Sequence, residues 1–125
     1  MADTSQEAAT AAIRDVVRDY VEGMVFADEA RLRSAFHPDS KIIGHYQGTL
    51  EWLSLDDFVG AILDTGSVEG DGPPFWDIQA LDVTGDSATV KVLDHYLDMR
   101  FSDYLALLLI DGRWRIVNKL YYLHP

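Results

Sequence analysis

RFSDYLALLLIDGRWRIVNKLYY, residues 100–122, reads as two strands folded back on each other at Asp111 and Gly112, because an Asp-Gly pair between apolar runs is a strong hairpin signal. In its second half Arg113, Arg115 and Lys119 share one parity, while Trp114, Ile116, Asn118, Leu120 and Tyr122 share the other. The second set is expected to face the core. The first half has no such division: Leu105, Leu107 and Leu109 alternate with Tyr104, Ala106, Leu108 and Ile110, so both faces of this strand need cover. Asp103 stands at the mouth of the apolar run and shares parity with Phe101 and Leu105, which turns its carboxyl inward.

Two more strands precede this hairpin, at about 75–84 and 86–98, with a turn at Gly85. Thr89 and Lys91 set the outward parity of the second, hence Ala88, Val90, Val92, Asp94 and Tyr96 point inward. Before Phe75 the pattern is mostly helical. Thr4–Phe26 carries Ala9, Ile13, Val16, Val17, Tyr20, Val21 and Met24 at helical spacing behind a capping box at Thr4 and Glu7. Asp28 is placed to cap a shorter helix through about Phe36, which Pro38 stops. Residues 40–53 form two short strands around Gln47 and Gly48, and Ser54 starts a third helix that ends at Gly66. The Gly/Pro-rich stretch 64–74 is a loop, either a lid or a plain connection between the helical and strand halves. Helices followed by a long antiparallel meander predict an α+β fold, one domain over residues 1–125 with residues 1–5 flexible.

The chain has 125 residues, enough for one core, and no apolar run near the roughly 20 residues of a spanning helix. Its formal net charge is -11, which repels phosphate backbones and anionic lipid, so neither nucleic acid nor membrane is an expected partner. There is no cysteine, hence no disulfide or thiolate site. Without a basic, apolar leader in MADTSQEAAT, a cytoplasmic location is expected.

The stretches FHPD (36–39), SDY (102–104) and DGRWRIVNKLYY (111–122), in this order and spacing, resemble the nuclear transport factor 2-like (NTF2-like) superfamily over about residues 8–123. The likeness is closest to its bacterial lumazine-binding group. That resemblance implies helices closing one mouth of a strongly curved sheet, an apolar pocket between them, and a dimer. The superfamily includes ketosteroid isomerase, in which an aspartate base works with a tyrosine and a protonated aspartic acid that hold the developing oxyanion. On that pattern Tyr20 falls on the tyrosine and Asp103 near the acid, but the base position falls on Gly44. Steroid isomerase chemistry is therefore not implied. His45 is adjacent, and replaces the base only if the strand is bulged there.

Tyr20, His45, Asp94 and Asp103 are accordingly the candidate catalytic groups, with Trp76, Tyr96, Phe101, Trp114 and Asn118 as candidate walls of a ligand site. Trp52 reads as core, His37 as a turn residue, His95 as a surface or dimer-interface residue, and His124 as a neighbour of the carboxyl terminus. The histidines lack metal-ligand spacing, so no metal and no cofactor is expected. Two functions fit. One is an isomerase, dehydratase or cyclase acting on a small apolar or aromatic molecule by acid–base chemistry; the other is a non-catalytic ligand-binding or dimerisation domain. The two-sided strand after Asp103 leads to the expectation of a homodimer through the outer sheet face.

Overall fold

Ile13, Val17, Tyr20, Val21 and Met24 follow one side of α1 (Thr4–Val25) and are all buried, so this helix lies with its apolar stripe in the hollow of a sheet. The computed structural model describes residues 4–68 and 72–125. The capping box rests on the Thr4 side chain, which lies outside what is described, as do residues 69–71 at the tip of the 64–74 loop. Asp28 caps α2 (Glu29–Ala35) by accepting a hydrogen bond from the Arg31 amide at 3.2 Å. Ser54 caps α3 (Leu55–Thr65) through the Asp57 amide at 3.1 Å, and Gly66 ends that helix at φ 81°. Among the described residues no helix is long and apolar enough to cross a membrane.

The six strands are β1 (Phe36–Tyr46), β2 (Thr49–Ser54), β3 (Trp76–Thr84), β4 (Ser87–Tyr96), β5 (Met99–Ile110) and β6 (Arg113–Leu123), in the sheet order β2-β1-β6-β5-β4-β3. Every neighbouring pair is antiparallel except β1 with β6, so the sheet is mixed and not purely antiparallel. Asp111 and Gly112 make the expected turn with φ of 51° and 79°, and Gln47 and Gly48 make a similar one at 51° and 86°. A third hairpin turns at Leu97 and Asp98, both at positive φ, where no glycine marks it in the sequence.

The register shifts at three places, at Gln79 in β3 and at two sites nearer the cavity, in β1 and β6. β1 begins at Phe36, paired with Ile116, and the register resumes only at Lys41 with Asn118, so His37, Pro38, Asp39 and Ser40 bow out of the ladder. In β6, Ile116 opposes Leu107 while Asn118 opposes Ala106, leaving Val117 as an extra residue. One surplus residue reverses the facing of everything after it. Trp114 and Ile116 are buried as expected, whereas Leu120 and Tyr122 face outward and Lys119 and Tyr121 face in. Trp52 is likewise not core: it is 66% exposed on the outer face of β2.

The inner register sets Glu51, Gly44, Tyr121, Asp103 and Val92 in one row across five strands. Gly44 is the flat point in that row, because a Cβ there would stand 2.8 Å from the Tyr121 ring and 2.7 Å from the Tyr121 carbonyl oxygen. Gly44→Ala should therefore lower stability by about 1–3 kcal/mol through overpacking, read as a reduced urea midpoint; an unchanged midpoint would show that the ring and the Tyr121 backbone both give way freely.

Candidate functional site

Between α1, α3 and the concave face of the sheet lies a cavity of about 200 Å³. Met24, Ile42, Leu53, Phe58, Ile62 and Phe101 make it apolar, and Asp94, Lys119, Glu51 with Tyr121, and Tyr96 supply its polar groups. Each polar group arrives by register. Asp94 on β4 is opposite Phe101, and Asp103 on β5 is opposite Val92, so the two carboxyls are diagonal neighbours on the inner face. Lys119 lies one inner row away, between Ile42 and Leu105.

Tyr20 and Asp103 do not border this cavity. They are fully buried behind it, where the Tyr20 hydroxyl donates to Asp103 Oδ2 at 2.6 Å and ties α1 to β5. A charge-assisted hydrogen bond of this kind contributes about 1.5–3 kcal/mol. Taken as carboxylates, Asp94 Oδ1 and Oδ2 and Asp103 Oδ1 have no donor among the described residues. A proton on Asp94 resolves the arrangement. Burial pushes the Asp94 carboxyl well above the usual carboxylate range, the charge of Asp103 and a hydrogen bond with it push in the same direction, and Lys119 opposes them. Burial, then the charges of Asp103 and Asp94, likewise hold the Tyr20 hydroxyl protonated.

Lys119 is 5% exposed, with its Nζ 4.8 Å from the centroid of the Tyr20 ring, 4.7 Å from Phe58 and 5.4 Å from Tyr121. Three ring faces attract the ammonium without offering a lone pair for a hydrogen bond. At the other side of the cavity the Tyr121 hydroxyl passes over Gly44 and donates to Glu51 Oε1 at 2.5 Å. Burial foremost, and then Glu51, raise the Tyr121 pKa.

Of the remaining sequence candidates, Tyr96 and Phe101 line the cavity, and burial raises the Tyr96 pKa. The other four do not. His45 is exposed because β1 pairs regularly at Gly44 and His45, so adjacent side chains take opposite faces. Asn118 is kept out by the β6 bulge. Trp76 sits at the sheet end under the Arg14 and Arg18 guanidinium groups, 5.9 and 5.8 Å from its ring, and Trp114 is buried core outside the cavity lining. Sequence reasoning missed Glu51, Lys119 and Tyr121. The available signal was Gly44 itself, since a glycine within a strand marks the close approach of another group.

A curved six-stranded sheet closed by three helices over an apolar, polar-tipped cavity is an NTF2-like α+β cone. Residues 8–122 match the model of the family described as "Putative lumazine-binding", and the chain belongs to that family. It is similar to an NTF2-like protein of Silicibacter pomeroyi DSS-3, with 37% identity, a TM-score of 0.88, and 98% of this chain and 100% of that chain covered. An NTF2-like protein of Shewanella baltica OS155 shares 26% identity at a TM-score of 0.84, over 100% of this chain and 99% of that one. Aldolase FrzH of Cladobotryum sp is 30% identical over 112 residues, 85% of this chain and 84% of that protein.

The raised Asp94 pKa has a stability consequence with a definite sign. A carboxyl that holds its proton more tightly when folded stabilises the protein below the unfolded value of roughly 3.9, and this contribution is lost as pH rises through the folded value. Asp94→Asn should therefore flatten the fall in stability of the wild type above about pH 4, as measured by urea unfolding at a series of pH values; parallel wild-type and variant curves would show Asp94 to be ionised in the fold.

Proposed function

We propose that this protein binds a small apolar or aromatic carbonyl compound in the cone and moves a proton at the carbon beside the carbonyl. The observation that carries this reading is the buried, cavity-facing Asp94 carboxyl, whose two oxygens have no donor among the described residues. A bound ligand oxygen takes over the single Asp94 proton from Asp103, and the Lys119 ammonium adds positive charge where an enolate would develop. Glu51 is the base. It stands opposite Gly44, the position at which this chain lacks the base of the superfamily pattern, and its second carboxylate oxygen remains to accept a proton while Oε1 is held by Tyr121. Isomerisation, dehydration, cyclisation and aldol addition all begin with this proton transfer, and the similarity to an aldolase supports the reading.

Wild-type protein in deuterium oxide should accelerate exchange of the α-protons of small cyclic ketones, followed by NMR, and Glu51→Gln should lower that rate by about 100-fold. Equal rates for the two proteins would reject Glu51 as base. A second reading, non-catalytic ligand binding, is favoured by the way Tyr20 and Asp103 satisfy each other behind the cavity instead of facing a ligand. Ketone binding without any exchange would establish it.

We also propose a homodimer through the outer face. Trp52, Ile43, Leu120 and Tyr104 lie side by side in one row across four strands, with Leu50 and Tyr122 in the next, and all but Ile43 are exposed. Light scattering should give twice the 14.0 kDa chain mass, and Leu120→Glu should reduce it to a single copy; a wild-type monomer at micromolar concentration would overturn the dimer.

A further inference from the structure

The residue least explained by non-covalent binding is Lys119. Its side chain is almost wholly buried, and none of the ion pairs among the described residues includes it. An ammonium has three N–H donors. Tyr20, Phe58 and Tyr121 surround this one with ring faces, and no described residue accepts a hydrogen bond from it. Lys119 lines the same cavity as Asp94, an acid that can exchange protons with a bound molecule. A protonated imine suits these surroundings better than an ammonium does: it keeps the positive charge that the rings attract but has a single N–H to satisfy.

We infer that Lys119 forms an imine with a ketone or aldehyde ligand, with Asp94 as the acid that expels water. The step rests on the carbonyl-binding reading given above. The Lys119 ammonium first gives one proton to the Asp94–Asp103 carboxyl pair. Its lone pair then forms the N–C bond to the carbonyl carbon, the C=O π pair goes to oxygen, and a nitrogen proton shifts there to give a carbinolamine. Asp94 returns a proton to that hydroxyl, the C–O bond breaks with loss of water, and the nitrogen lone pair closes the C=N bond. One ammonium and one carbonyl become one protonated imine and one water, with no oxidant or reductant.

The chain contains only three lysines, Lys41, Lys91 and Lys119, so selectivity is readable within one sample. The full chain is incubated with pentane-2,4-dione, which condenses with an amine to a conjugated enaminone. Adducts are followed by near-ultraviolet absorbance and intact mass, then placed by peptide mapping, while backbone amide NMR reports whether the diketone enters the cavity at Phe101 and Tyr121. We expect occupancy at Lys119 about tenfold above that at Lys41 and Lys91, and loss of this adduct in Lys119→Arg with an unchanged circular dichroism spectrum. Shifts at Phe101 and Tyr121 with adducts spread evenly over the other amines would overturn the imine and leave carbonyl binding standing. Neither shifts nor a Lys119 adduct would overturn both. Should Lys119→Arg fail to fold, the wild-type map still decides.

Discussion

Between Ile116 and Asn118, β6 carries one residue more than the stretch of β5 opposite it, and the chemistry of the cavity depends on that surplus. Up to Ile116 the strand packs apolar groups inward; beyond Val117 the same backbone presents Lys119 and Tyr121 to the cavity and Leu120 and Tyr122 to the outside. A regular ladder would have placed Leu120 inside and buried only apolar surface there. The cost of the bulge is local, an unpaired residue and a sharper bend in a strand held by neighbours on both sides. In return the sheet gains an amine, a phenol and a hydroxyl-bound carboxylate on its concave face.

Such a set is tolerable in an apolar interior only when its charges answer one another. Asp103 accepts from Tyr20, Asp94 retains a proton, and Lys119 brings a positive charge held by three ring faces. Neutralising one carboxyl leaves one anion and one cation in the buried group, a balance that burying both carboxylates would break. The same balance explains why Tyr20 serves the sheet more than the cavity: its hydroxyl is the one donor available to Asp103 from α1.

The element order was legible from the sequence because its signals are local. Asp28 and Ser54 cap the helices they precede, Asp-Gly makes its turn, and the parity of β4 correctly turns Asp94 inward. Where a single residue upset the period, the reading failed. Val117 carries no glycine or proline to mark the bulge, so Asn118 was placed where Lys119 belongs. Trp52 and Trp76 show a different limit: hydrophobicity says that a ring gains from cover, but not whether a core, two arginines or an exposed sheet face will meet it. Glu51 was hidden for a third reason, since its importance arises only from the register that sets it opposite Gly44.

β2 is an edge strand of six residues, bonded to the rest of the sheet through β1 alone. Edge segments with few partners open at a lower free energy than the strands behind them. Because Glu51 and Leu53 both belong to β2 and both border the cavity, one fluctuation of this hairpin would open the cavity wall, release the Tyr121 hydroxyl and withdraw the carboxylate together. For the proton transfer proposed above, opening this edge and losing the reactive geometry are the same event.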